Sequence, residues 1–285
     1  MELKKCLLTK NDCYKKSQII TPKGIVVHST GANNPTLKRY VQPDDGILGN
    51  NPNNNHWNRS GLDKCVHAFI GKDKNGKVRV YQTLPFDYAC WGVGKGSKGS
   101  YNYNPAYIQF EICEDGLTDK SYFEQAFKCA IEFCAYLCKK YNLKVDNIVS
   151  HAEAHAKGYG SNHADCDHWL KKFSKDMNWF RGEVKKGLSP TIATPIVNSI
   201  PTQTGAVVTW NKISGANGYR VYYKKQLDTK WTLIKKTTAL TLTHTLPKNE
   251  IGHFSVYACY YYDDGTYAKS GLGESGYVKS YESLK

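Results

Sequence analysis

The 285-residue sequence has no long apolar run: nowhere does it reach the roughly 18 consecutive apolar residues needed to cross a bilayer, so no membrane span is expected. Its first residues, MELKKCLLTKNDCYKK, lack the apolar centre of a secretory leader, and synthesis in the cytoplasm without a signal peptide is the expectation. Low-complexity tracts are missing, and methionine occurs only twice. Acidic residues are the scarcer charge, 25 Asp+Glu against 39 Lys+Arg, for a net charge of +14. The excess is spread as +9 over residues 1–188 and +5 over residues 189–285, which excludes a basic tail. Such a field draws polyanions, including an anionic cell wall. No run interleaves basic with aromatic side chains, so a nucleic-acid partner is not expected.

Tyrosine and cysteine are plentiful, with 21 Tyr, 6 Trp and 10 Cys. Tyrosine suits strands, and aromatic surfaces also suit sugars and flat polymers. Cys129, Cys134 and Cys138 fall on one helical pattern and Cys113 in a strand, where a free thiol behaves as a small apolar side chain. In a chain made in a reducing compartment most are expected to be thiols. Cys6 and Cys13 are the one pair whose spacing permits a bridge.

The length allows about two domains. Residues 188–195, containing SPTIATP, read as a linker between a first domain over 1–187 and a second over 196–285. In the first, GIVVH (24–28), CVHAFI (65–70), KVRVYQT (77–83), YIQFEIC (107–113) and NIVSH (147–151) read as strands. Residues 121–141 read as a helix capped by Thr118 or Asp119, because Phe123, Phe127, Ala130, Cys134, Leu137 and Tyr141 recur at helical spacing. Residues 31–64 and 84–106 are rich in Asn, Gly and Pro and read as long loops, the usual carriers of a site. The second domain alternates AVVTW, YRVYY, WTLIKK, LTLTHT and FSVYACYYY with turns at DDG and GLGESG, the pattern of a β-sandwich. The expected fold class is therefore α/β, a mixed central sheet flanked by helices, followed by an all-β sandwich.

His28 and His151 each end a strand pattern, and SNHADCDHW (161–169) adds His163, Asp165, Cys166, Asp167 and His168. Imidazole and carboxylate are the donors of a catalytic zinc with one position left for water. Glu111 interrupts an apolar strand, sharing a face with Gln109. A carboxylate there costs free energy unless paired or functional, and a general base or a solvated strand face are both open readings.

The stretches GIVVHST (24–30), CVHAFIGKDKNGKVRVYQTLP (65–85), ACWGVG (89–94), YIQFEIC and SHAEAH…SNHADCDHW, in this order, resemble the type 2 N-acetylmuramoyl-L-alanine amidases, which include phage and prophage endolysins. The resemblance implies zinc-dependent hydrolysis of the amide between N-acetylmuramic acid and L-alanine in bacterial peptidoglycan, on the wall, after release during lysis. It puts zinc on His28, His151 and Asp165. Glu111 and His163 take the catalytic positions, and His67 and Trp91 the substrate cleft. Asp165 lies fourteen residues after His151, farther than is usual in the family, so Cys166 and His168 stay open as third ligands. A histidine at 163 replaces the commoner lysine, and Val66 stands where some members have a tyrosine. A peptidoglycan-binding protein that has lost its metal is the alternative reading. Residues 196–285 resemble a fibronectin type III domain through Trp210, Tyr219 and VYACYYYDDG. A monomer is assumed.

Overall fold

The computed structural model describes residues 1–189, 191–262 and 265–283, so Pro190 of the linker and Asp263 and Asp264 of the DDG turn lie outside the described residues. The chain forms two compact units, Met1–Leu188 and Ser189–Lys285. No helix among the described residues is long and apolar enough to cross a membrane.

The first unit runs β1 (Leu3–Lys5), α1 (Asp12–Lys16), β2 (Gly24–Ser29), β3 (Ala68–Lys72), β4 (Val78–Gln82), β5 (Tyr107–Ile112), α2 (Lys120–Tyr141), β6 (Ile148–Ser150), α3 (His151–Ala156), α4 (Asp167–Lys172) and α5 (Met177–Leu188). The strands make one mixed sheet in the order β1-β4-β3-β5-β2-β6, in which only β3 and β4 pair antiparallel. The central strands β2 and β5 are buried on both faces, which explains their near-continuous apolar runs.

The two faces of that sheet do different work. Ile25, Val27, Ile108, Phe110 and Ile112 point to one side and pack against Phe123, Phe127, Ala130 and Phe133 of α2, Trp169 of α4 and Phe180 of α5 in the main core. The amphipathic spacing read from residues 121–141 is this contact, and the cap is Asp119, whose side chain accepts from the Tyr122 N–H. Val26, His28, Gln109 and Glu111 point to the other side. That side is covered by α3 and by the two long segments between β2 and β3 and between β4 and β5, ordered by small clusters of their own. One is a stack of Tyr101 on Tyr107 and Tyr159, with ring centroids at 3.9 and 4.8 Å.

Two expectations are corrected here. His151 does not end a strand; Ser150 caps α3 in a reciprocal capping box with Glu153, and His151 is the first helical residue. The cysteine pairing is Cys13 with Cys65, not Cys6 with Cys13. It joins α1 to the segment entering β3, beside Asn11, whose side-chain amide donates to the backbone oxygens of Trp57 and Lys64. Partners 52 residues apart leave no local signal in a sequence. The other eight cysteines are free, seven of them buried.

The second unit is all-antiparallel. Among the described residues β7 (Val197–Pro201), β8 (Gly205–Trp210), β9 (Gly218–Lys225), β10 (Thr232–Thr237), β11 (Thr241–Thr245), β12 (Ile251–Tyr261), β13 (Tyr267–Lys269) and β14 (Gly273–Lys279) form two sheets. One has the order β11-β8-β7; the other has β10-β9-β12-β13, with β14 also pairing β12. Their inner faces meet through Val208, Trp210, Tyr219, Val221, Phe254 and Val256. The GLGESG segment is not a turn: from Gly273 onward it is the start of β14.

Titration of the unfolded, unreduced protein should find eight reactive thiols, and ten after reduction. Reduction should lower the stability of the first unit by about 4 kcal/mol, the loop-closure contribution expected for this span. Ten thiols before reduction would show that the bridge is absent.

Candidate metal centre

β2 and β5 are parallel neighbours in which His28 lies opposite Glu111, so both side chains leave the same face at the carboxyl ends of the strands. His151 comes to the same place from the adjoining β6–α3 junction. That junction is held from behind by Arg181 of α5, which binds both carboxylate oxygens of Glu153 at 2.8 and 3.0 Å and donates to the Ile148 carbonyl at 3.0 Å. The segment carrying Asp165 is tied to it by a hydrogen bond from Ala152 N–H to the Asp165 carbonyl at 3.3 Å.

Three donor atoms converge there. His28 Nδ1 lies 3.1 Å from His151 Nδ1 and 3.1 Å from Asp165 Oδ2, while His151 Nδ1 is 3.4 Å from Asp165 Oδ1. Both rings are buried and set edge to face, 85° apart. Two imidazole nitrogens and a carboxylate, all within 4.8 Å of one another, could hold one cation, and this is the donor set of zinc with a coordination position open. Each ring also makes a hydrogen bond through Nε2, His28 with Gln109 Oε1 at 3.1 Å and His151 with Ser161 Oγ at 3.2 Å, as metal-binding histidines do. The residues present therefore fit a zinc ion.

The rival third ligands stand elsewhere. Cys166 points away, wholly buried in the main core, where burial, with the charges of Asp167 and Asp165, pushes its thiol well above the usual range. His168 pairs with Glu114 through Nε2, at 2.9 Å from Oε1.

The cluster floors an open cleft of about 580 Å³ lined also by Trp57, Lys64, Trp91, Glu111, His163 and His168. One oxygen of Glu111 is closed off from solvent and has no hydrogen-bond partner among the described residues. Burial, reinforced by the charges of Asp165 and Glu114 and opposed by Lys64, raises this carboxyl well above the usual carboxylate range. Glu111 is thus not on a solvated strand face. His163 sits at the rim, 61% exposed, its ring stacked 4.6 Å from that of His151 and its Nδ1 3.7 Å from Asp165 Oδ1.

His67 does not line the cleft. Its ring is fully buried, Nε2 donating to the Tyr88 carbonyl at 2.8 Å and Nδ1 accepting the Gln109 N–H at 3.0 Å. It ties β5 to the loop after β4 and has no lone pair left for a ligand. Trp57 and Lys64 were missed in the sequence because they lie in an Asn-rich loop with no period. Gln109 was read only as a face-mate of Glu111.

The sequence pattern of the N-acetylmuramoyl-L-alanine amidase family matches residues 18–168, which takes in the whole cluster. The chain belongs to this family. Among curated relatives it is similar to Protein Ami of Listeria monocytogenes, 29% identical over 140 residues, covering 49% of this chain and 12% of that protein. It is also similar to the bifunctional autolysin of Staphylococcus aureus, 27% identical over 158 residues, covering 53% and 11%. The chain thus aligns with about an eighth of the length of these relatives. Among solved structures, that of PlyL matches with a TM-score of 0.47 at 21% identity, covering 66% of this chain and 99% of that one.

Two outcomes follow from the family member's site. Asp165→Ala should purify without zinc, as read by elemental mass spectrometry, while Cys166→Ala should keep one equivalent; the opposite result would move the third ligand to the thiol. His67, whose pKa burial lowers from 6.5 to about 4 against the opposing hydrogen bond to the Tyr88 carbonyl, should stay neutral in the folded protein down to about pH 4. A base with a depressed folded pKa withdraws stability as pH falls below its unfolded value. The loss should begin near pH 6.5 and reach about 3 kcal/mol by pH 4. An NMR titration of the His67 ring with a midpoint near 6.5 would contradict this.

Proposed function

We propose that this protein hydrolyses the amide joining the lactyl group of N-acetylmuramic acid to L-alanine in bacterial peptidoglycan, as a lytic enzyme of the endolysin or autolysin kind. The observation that carries the reading is the placing of a three-donor cluster and a carboxylate with one closed-off, unpartnered oxygen in one cleft, in a chain of the amidase family. A binding protein of this fold would have no use for an intact donor set, which disfavours the non-catalytic alternative.

His28, His151 and Asp165 would hold zinc, which when bound supplies a Lewis acid for the scissile carbonyl and lowers the pKa of water toward about 7. Glu111 does the proton work. Its raised basicity lets it take a proton from the attacking water and return it to the departing L-alanine amine, as one general base and then acid. His163, at the rim beside Asp165, is free to turn an N–H toward the oxyanion. Trp57 and Trp91 are flat apolar walls against which the face of a sugar ring can lie, and Lys64 adds a cation to the same rim.

The second unit serves, in this reading, as a fibronectin type III-like module. Trp210 and Tyr219 are core aromatics at 5.7 Å between ring centroids, and its excess positive charge favours an anionic wall.

Digestion of purified cell walls should release peptides with new L-alanine amino termini and leave unsubstituted glycan strands, both read by mass spectrometry. Glu111→Gln should cut turnover by about 10²–10⁴-fold while keeping its zinc. Cleavage at a sugar–sugar or peptide–peptide bond would refute the assignment. Full activity in the Gln variant would remove Glu111 from the chemistry.

A further inference from the structure

The cluster histidines meet their partners through a loop that nothing so far has used, Gly92-Val93-Gly94. The Val93 N–H donates to Asn102 Oδ1 at 3.2 Å. A backbone N–H cannot be reversed, so this bond decides which end of the Asn102 amide faces the loop. The same Oδ1 accepts from Gln109 Nε2 at 2.9 Å, which turns the Gln109 oxygen toward His28 Nε2, 3.1 Å away. An amide oxygen only accepts. His28 must then carry a proton on Nε2, so that its neutral ring presents a bare Nδ1 to the cluster.

The other backbone atom of Val93 acts on the second histidine. Its carbonyl accepts the Ser161 hydroxyl at 3.1 Å and the Ser161 N–H at 2.9 Å. With its one proton directed there, Ser161 Oγ is an acceptor for His151 Nε2 at 3.2 Å, which leaves Nδ1 of the neutral His151 ring bare as well.

The flanking glycines are shaped to this arrangement. A Cβ at Gly92 would lie 2.5 Å from Gln109 Oε1, and one at Gly94, whose φ is +68°, would lie 2.7 Å from Ser161 Oγ. Any side chain at either position would push on the group that addresses a histidine. Gln109 is fully buried and Asn102 nearly so, which keeps water from substituting for either bond.

We propose that Val93 is the common reference for both histidines. Its N–H, acting through Asn102 and Gln109, and its C=O, acting through Ser161, hold His28 and His151 in the tautomer that presents Nδ1 to a cation. Asn102, Gln109 and Ser161 are positioning residues of the metal centre. The inference rests on the reading of that cluster as a zinc site.

Asn102 offers a test because two substitutions of similar volume separate hydrogen bonding from packing. Asn102→Asp keeps an acceptor for both Val93 and Gln109. Asn102→Leu keeps the bulk and loses the acceptor. In competition titrations of the metal-free protein with zinc, the Leu variant should bind about 10–100-fold more weakly and the Asp variant within a few-fold of the parent. Ser161→Ala and Ser161→Thr should divide the same way. In ¹⁵N-labelled metal-free protein, followed at a pH where the ring is neutral, His28 should be the Nε2–H tautomer in the parent and in Asn102→Asp, and a mixture in Asn102→Leu.

A Leu variant matching the parent in both zinc affinity and His28 tautomer would overturn the proposal, as would a weak-binding Asp variant beside a normal Leu one, the mark of a packing role. Failure of the parent itself to bind zinc would sink the metal-centre reading alone. The tautomer measurement would still decide the role of Val93.

Discussion

Two imidazole Nδ1 atoms and a carboxylate are held within 3.1–3.4 Å of one another, and the second face of the sheet is arranged around that convergence. The parallel register of β2 on β5 delivers His28. The capping box at the start of α3, with Arg181 behind it, delivers His151, and the hydrogen bond from Ala152 holds the Asp165 backbone. Each device is rigid backbone or a bidentate charge pair, as a site that must exist before its cation arrives requires. Where donors are forced together in this way, a bound cation returns stability to the fold as well as chemistry to the cleft.

The division of the sheet into a packing face and a chemical face sets the cost of change. Residues of β2 and β5 alternate between the two, so one strand position separates Phe110, wedged against Phe133 at 5.2 Å, from Gln109 and Glu111. The large aromatic core on the helical side supplies the free energy that lets the other side keep an orphaned carboxylate oxygen. Function here sits on unstable chemistry supported by surplus packing.

Much of this was legible in the sequence. The helix read over 121–141 announced itself by apolar period, with Thr118 or Asp119 as its cap, and the strands by short apolar runs. Glu111 stood out as a charge where the pattern wanted an apolar side chain. Cluster residues His28, His151 and Asp165 came from strand ends, a polar cluster and a family likeness, and the fold brings them together. What stayed hidden depends on contacts between segments far apart in the chain. Asn102, Ser161 and Trp57 lie in loops where polar residues and glycines follow no period, and their roles exist only once Val93 or the cleft stands beside them. Cys13 and Cys65 gave no hint of each other. His67 misled for the opposite reason: likeness put it near the cleft, but both its ring nitrogens are taken up by backbone one layer below.

The family pattern begins at residue 18, yet the sheet does not. β1 at Leu3–Lys5 is the outermost strand and closes the free side of β4 by parallel pairing from Leu3 with Val80 to Lys5 with Gln82. The pattern also stops at residue 168, before the helix that carries Arg181. A protein cut back to the recognisable stretch would bare a row of unpaired backbone groups on β4, an invitation to edge-to-edge association, and would lose the clamp on His151 at its other end. The limits by which kinship is recognised are therefore narrower than the sheet and the clamp that position the donor cluster.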